Sequence, residues 1–456
     1  MVFQACRSLL LLTAFVLGQT QAATQFHLSL AGDGTSDYFL DWVTPKVANE
    51  TAPASQVYVG SSPSTMTRAI AGVLNGEVEE EPGQYVNCWT ARLTDLTPNS
   101  VVFYSLNESA PSNPGQGPVF GPMPGPTESV RLFVPKSASA DLTWSVWADL
   151  GSLIQGGTAG VALPALEQAA LHDKSFDAIF NLGDLSYELT QTNGKDYMDR
   201  LEPITSAVPM HVTTGNHEYE HALAPEYTLR NYNRRFAGQF AGMGKASGSG
   251  SNEFFSFDSG LIHFSMLNTE LYGNDLYVKQ DDKGEWKEYD DTEREKDSKK
   301  MAEWFEKDLK QVDRQKTPYV VVTSHRCPFK APKGLDKKSN RYGDEIVPLL
   351  AKYKVDLLLC AHTHLYLVLK ESEWKGNRIP PTIVSGAPGN ADGLDVLEDL
   401  KLGDFKVEFS AKAFGYGLLK ATEKQLEWKW GSTGGLDAKP TNWTEVHQYS
   451  IPRAFN

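Results

Sequence analysis

The sequence predicts two folded units in series, an all-β sandwich over residues 23–136 and an α/β unit over residues 137–456. Three observations predict this. A chain of 456 residues exceeds what one hydrophobic core usually supports, so two domains are expected. Short apolar runs broken by turn residues fill the first part. From Leu142 onward, buried-type runs alternate with helical segments.

In the first part, His27–Leu30, Tyr38–Trp42, Gln56–Gly60 and Val101–Tyr104 read as strands. Ala31-Gly32-Asp33-Gly34 and Thr97-Pro98-Asn99-Ser100 read as turns, and strands at this spacing suggest a β-sandwich. A Pro/Gly-rich stretch, Pro111 to Pro126, leads toward the boundary. In the second part, strands are expected at Thr143–Trp147, Phe176–Leu182, Tyr319–Thr323 and Val355–Leu359, with a crossover helix at Ala159–His172. Such alternation implies a largely parallel sheet with helices on its faces. The segment Gln280–Lys310 is dense in charge; its first half reads as a solvated loop, and Thr292–Val312 as a surface helix.

Composition narrows the function classes. Hydrophobic residues at 41% and charged residues at 22% are ordinary for a globular protein. Lys plus Arg total 43 against 57 for Asp plus Glu, a formal charge of −14. That balance argues against non-specific binding to nucleic acid or anionic membranes. A phosphate substrate stays open, because bound metal ions reverse the local field.

Residues 1–22 read as a secretory signal: Arg7 is the positive element, Leu9–Leu17 the apolar core and Thr20-Gln21-Ala22 the cleavage site. The apolar run is shorter than the ~20 residues that a membrane helix needs. The end from Tyr449 to Asn456 lacks the hydrophobic tail of a lipid-anchor signal, so export and release are expected. Asn49, Asn107 and Asn442 head Asn-x-Ser/Thr sequons, candidate N-glycan sites. Cys88, Cys327 and Cys360 remain after the signal; an odd number leaves at least one free or paired between molecules.

The chemistry concentrates in Asp149-Leu150-Gly151, Gly183-Asp184-Leu185-Ser186-Tyr187, Gly215-Asn216-His217-Glu218, Ser324-His325 and His362-Thr363-His364. Each follows an expected strand, and ligands in open α/β sheets bind outside the carboxyl ends of strands. These distant segments can therefore meet in one crevice. They would present carboxylates, a phenol, an amide and imidazoles, a set suited to iron, zinc or manganese rather than calcium. The number of donors exceeds what one ion needs; two ions ~3.5–4 Å apart are a recurring phosphatase arrangement. Gly183 and Gly215 would allow sharp turns out of their strands.

With these motifs the sequence resembles the metallophosphoesterase superfamily, and within it the purple acid phosphatases of the larger plant and fungal type. The first unit is similar to their fibronectin type III-like domain. Phe255–Gly260 with His263-Phe264, and Thr382–Asn390, resemble further stretches of their catalytic domain. Gly151 stands where most of the superfamily has a histidine, and Tyr187, three residues after Asp184, matches the purple subgroup. The resemblance implies a metallophosphoesterase sandwich fold and a secreted acid phosphatase. Its substrates would be phosphate monoesters and its nucleophile a metal-activated hydroxide. It implies Fe(III) held by Asp149, Tyr187 and His364, with Asp184 bridging to a second divalent ion (zinc, manganese or iron) held by Asn216, His325 and His362. His217 matches a non-ligand histidine that contacts the phosphate and assists the leaving group. Ala148 and Ala361 replace the family's usual glycines, and no histidine lies between 325 and 362 where plant-type enzymes carry a further pocket histidine.

Two other readings remain in view: a secreted binding protein that has lost activity, and an enzyme for phosphodiesters. Decay usually removes ligands, and here every ligand position is filled. Glu218 reads either as an orienting partner of His217 or as a surface residue. The natural substrate and the oligomeric state stay open.

Overall fold

The structure, a computed structural model, describes residues 23–453 apart from 49–50, 53, 107–129, 220–225, 274–277, 281–285, 289–290, 328–339, 398–401, 403–404, 436 and 438. The expected signal, the sequons at Asn49 and Asn107 and the whole Pro/Gly-rich stretch lie outside the described residues.

Eight described strands precede residue 136: β1 (Thr24–Leu30), β2 (Tyr38–Pro45), β3 (Gln56–Gly60), β4 (Arg68–Ala71), β5 (Val73–Glu81), β6 (Gln84–Leu93), β7 (Val102–Leu106) and β8 (Arg131–Phe133). They form two four-stranded antiparallel sheets, β1-β2-β6-β5 and β4-β3-β7-β8. Alternation along β2 sends Tyr38, Leu40 and Trp42 into the sandwich core, with Phe26, Leu28, Val57, Trp89 and Tyr104. The opposite face of the first sheet is buried too. There Asp41 accepts the Gly238 N–H at 2.9 Å, and the Gln25 N–H donates to Glu202 at 2.7 Å. The two units thus meet through a buried polar seam. Its ordered partners keep the desolvated groups hydrogen-bonded.

The second unit departs from a single largely parallel sheet. Its strands are β9 (Trp144–Trp147), β10 (Ala178–Asn181), β11 (Met210–Val212), β12 (Phe255–Ser259), β13 (Ile262–Leu267), β14 (Val278–Gln280), β15 (Trp286–Glu288), β16 (Tyr319–Ser324), β17 (Leu357–Cys360), β18 (Tyr366–Leu369), β19 (Ser372–Trp374), β20 (Asn377–Ile379), β21 (Thr382–Ser385), β22 (Val407–Ala411), β23 (Phe414–Ala421), β24 (Gln425–Gly434) and β25 (Thr444–Pro452). Two mixed sheets result, ordered β11-β10-β9-β23-β24-β25 and β12-β13-β16-β17-β21-β18-β22. The parallel strands are β9, β10 and β11 in one sheet and β13, β16, β17 and β21 in the other. Antiparallel strands extend both sheets, which one strand–helix alternation would not produce.

The inner faces pack against each other. Trp144 and Phe180 meet Phe264 across the gap at centroid distances of 5.1 and 4.8 Å, and Tyr366 stacks on Trp430 at 4.4 Å. Ala148 and Ala361 are fully buried members of this core, so their methyl groups fill space there. The outward side chains Trp147, Ile179, Val320, Val322 and Leu358 pack with helical Leu166, Leu201, Met301, Phe305 and Leu350.

The crossover helix runs Leu163–Glu167 and continues as a wider turn over Gln168–Asp173. It starts later than expected because Gly156, Gly157 and Gly160 adopt positive φ and Pro164 sits in the first turn. The surface helix is Asp291–Gln311. The expected loop before it carries a short antiparallel hairpin, β14 with β15. Cys327 and Cys360 form a disulfide and Cys88 is buried and free.

Candidate metal centre

The C-terminal ends of the parallel strands from both sheets converge. β9 leads to Asp149, β10 to Asp184 and Tyr187, β11 to Asn216 and His217, β16 to His325, and β17 to His362 and His364. Sharp exits are required, and the backbone records them. Asp149, Asp184, Tyr187 and His362 all lie in the left-handed region, with φ of 59°, 50°, 51° and 65°. For non-glycine residues that conformation costs energy and clusters at functional sites.

Asp184, His325 and His362 bring their donor atoms together and are all buried. The Nε2 of His325 lies 3.1 Å from Asp184 Oδ2, 3.2 Å from His362 Nδ1 and 3.3 Å from Asn216 Oδ1. The other ring nitrogen of His325 is 2.8 Å from the Leu182 carbonyl, to which it donates, so Nε2 is the nitrogen turned toward the cluster. Beside this group, the hydroxyl of Tyr187 is 2.6 Å from Nε2 of His364, which is 3.6 Å from Asp149 Oδ1. That Asp149 oxygen is buried with no hydrogen bond among the described residues. Its second oxygen accepts the backbone N–H of His362 at 3.1 Å, tying the two groups together.

The electrostatics tie these groups into one cluster. Burial opposes ionisation of Asp184, but His325 and His217 outweigh it and hold the carboxyl well below its ordinary range. Burial would lower His325, yet the Asp184 ion pair raises it to about 10. Burial, then Asp149 and Asp184, push the Tyr187 phenol well above its ordinary value. Tyr187 and His325 both feel both carboxylates, so one region of strong negative potential spans the two groups. A cation there reverses these effects, because it supplies the charge that such donors are built around.

His217 lies apart from the donors. Its Nε2 is 4.0 Å from Asp184 Oδ2, its side chain is 23% exposed, and its ring rests on Tyr187 at 4.3 Å. Its backbone N–H donates to Asp184 Oδ1 at 2.9 Å.

Several neighbours had no clear signal in the sequence. Glu218 neither orients His217 nor lies on the surface. It is fully buried and accepts the N–H groups of Gly215, Asp184 and Leu185 at 2.8, 2.9 and 3.0 Å, joining two donor-bearing loops. Burial and Asp184 raise its carboxyl to about 7. Asn390, beyond β21, donates to the Tyr187 hydroxyl at 2.7 Å. Gly183 needs its positive φ of 96°; Gly215 needs only space, since a Cβ there would lie 2.2 Å from Asp184 Oδ1.

Comparison with known proteins agrees with this geometry. Residues 147–366 match the calcineurin-like phosphoesterase family. Purple acid phosphatase 18 of Arabidopsis thaliana is 26% identical over 437 residues, which cover 94% of this chain and 84% of the relative. The chain thus carries a calcineurin-like phosphoesterase region and is similar to purple acid phosphatases over nearly its whole length. Purple acid phosphatase 22 of the same plant is 30% identical over 267 residues, 57% of this chain and 55% of that protein. The chain therefore spans about half of one such relative and most of the other. The solved structure of purple acid phosphatase PPD1 from yellow lupin (Lupinus luteus) superposes with a TM-score of 0.63 at 17% identity, over 95% of this chain and 74% of that one. At that identity the likeness concerns the fold, including the β-rich first unit. Among the described residues, no helix is long and apolar enough to cross a membrane.

Proposed function

We propose that this chain is a purple acid phosphatase, a metal-dependent phosphoesterase that hydrolyses small phosphate monoesters at acid pH. The observation that carries the proposal is the meeting of two donor groups at the strand ends, with the buried Asp184 and Asp149 carboxylates felt by both. Asp149, Tyr187 and His364 would hold a ferric ion; Asn216, His325 and His362 would hold zinc, manganese or iron(II); Asp184 would bridge. The donor chemistry fits, because phenolate and carboxylate suit a hard trivalent ion and imidazole with an amide suits a borderline divalent one.

When bound, such a pair of ions lowers the pKa of water and neutralises charge on phosphoryl oxygens. The protein residues do the rest. Asp184 is held by the His217 N–H and by the loop that Glu218 braces, so its position is set before substrate arrives. His217, the partly exposed imidazole beside the cluster, would give a proton to the departing alkoxide.

The unit boundaries proposed are 1–22 for a signal, 23–136 for a fibronectin type III-like domain and 137–456 for the catalytic domain. Secretion follows from the signal, and Asn442, which is exposed, is a candidate glycan site. The test is turnover of a monoester and a diester by the metal-loaded full-length protein across acid and neutral pH. Preferential monoester hydrolysis at acid pH is expected; hydrolysis of the diester alone, or of neither, overturns the proposal.

A further inference from the structure

β13 and β16 are parallel neighbours, so their ends deliver Glu270 and Arg326 side by side next to the candidate metal cluster. The Arg326 backbone N–H donates to Thr269 Oγ1 at 2.8 Å. Its Nε lies 2.9 and 3.0 Å from the two carboxylate oxygens of Glu270, which is completely buried. The next residue, Cys327, is bonded to Cys360 at the end of β17. Backbone, side chain and disulfide thus hold Arg326 in place. It also meets a candidate ligand, since Nη1 lies 2.8 Å from Nε2 of His362.

A guanidinium has donors and no acceptor, so in this contact the His362 Nε2 accepts and the ring proton sits on Nδ1. Nδ1 is the atom that faces His325 Nε2 at 3.2 Å. An ion bound among Asp184, His325 and His362 needs the Nδ1 lone pair, which puts the ring N–H on Nε2, facing the Arg326 donor. Contact with Arg326 and ligation through Nδ1 therefore oppose each other. In the usual arrangement a carboxylate accepts from the outward N–H of a ligating histidine and strengthens it as a donor. Here the carboxylate is present, but the guanidinium lies between it and the ring.

We propose that Arg326 is a positioning residue that weakens the hold of the divalent-ion site on its metal, by occupying the outward nitrogen of His362 while Glu270 holds the guanidinium there. The site then exchanges its divalent ion readily. The inference rests on the two-ion reading of the site.

The test is Zn²⁺ affinity of the full-length protein, measured by competition with a chelator at fixed pH. Arg326→Met is expected to bind Zn²⁺ about 10–100-fold more tightly, the scale on which partners of ligating histidines act. Glu270→Gln keeps the cation and removes its counter-charge, and is expected to bind more weakly. Because Arg326→Met leaves a buried carboxylate without its partner, the double variant Arg326→Met/Glu270→Gln is measured too, and is expected to bind more tightly than Glu270→Gln. A merely structural role would weaken binding in all three variants. Unchanged or weaker binding in both proteins that carry Arg326→Met, from a wild type that takes up two ions, overturns the inference alone. A wild type that takes up fewer than two ions overturns the two-ion reading and the inference with it.

Discussion

Gly215→Ala adds one methyl group where the site has no room. The new Cβ would lie 2.2 Å from Asp184 Oδ1, 2.6 Å from its backbone nitrogen and 2.9 Å from its Cγ. Ordinary contact begins near 3.4 Å, so the carboxylate oxygen must retreat by about 1.2 Å. The backbone of Asp184 cannot yield easily, because its N–H is held by the buried Glu218. Misplacement of about 1 Å at a reacting centre costs on the order of 10²-fold in rate. Overpacking costs only about 1–3 kcal/mol in stability, so loss of metal and turnover should far exceed the fall in melting temperature. Gly34→Ala is the control. Gly34 has φ of 82° with nothing within 4 Å of an added Cβ, so it should cost about 1 kcal/mol and leave metal content intact. Metal analysis, turnover and thermal melting of the two variants decide the matter. Wild-type metal content and turnover in Gly215→Ala would refute the reasoning.

Three further outcomes are expected. His217→Ala should lower turnover by ~10²–10⁴-fold with metal content unchanged; loss of metal would instead make it a brace for Asn216. Tyr187→Phe should remove a visible absorption band while the fold persists, since its hydroxyl meets His364 and Asn390; a coloured variant with an unchanged spectrum would show that the oxygen is not a ligand. Asp41 sits in the seam between the units, where burial raises its carboxyl to about 8 against hydrogen bonds from Thr90 and Gly238. The folded state therefore keeps a proton that the unfolded chain loses near pH ~4, so this contribution is complete below that pH and disappears as pH rises through about 8. Asp41→Asn should gain on the wild type in melting temperature as pH rises from 4 to 8.5 (the range that spans both values); a constant difference would contradict this.

The fold class, and the strand ends at which the candidate residues gather, were legible in the sequence. The ligand candidates follow apolar runs that end in Gly-Asp, Gly-Asn-His or His-x-His, and a strand end is where a polar cluster can stay out of the core. β5 and β6 were harder to see, although Pro82-Gly83 marks their turn, because Glu77, Glu79, Glu80 and Glu81 give β5 the composition of a solvated segment. β23 hides for a related reason: Gly415 and Gly417 interrupt its apolar pattern, and only the fold reveals that Trp430 and Trp428 occupy the space where their side chains would be. The Cys327–Cys360 pair could not be chosen from three cysteines. Glu218, Glu270 and Asn390 act through contacts with backbone or with distant side chains, which sequence spacing does not encode.

The central claim is that two metal ions meet at the strand ends, one of them ferric and bound to Tyr187. Metal analysis of the purified full-length protein, taken together with its visible absorption spectrum, tests it most directly. One iron and one further divalent metal per chain, with a broad visible band, is the predicted result. Protein that carries no metal and gains no activity or colour when iron and zinc or manganese are supplied would contradict the account.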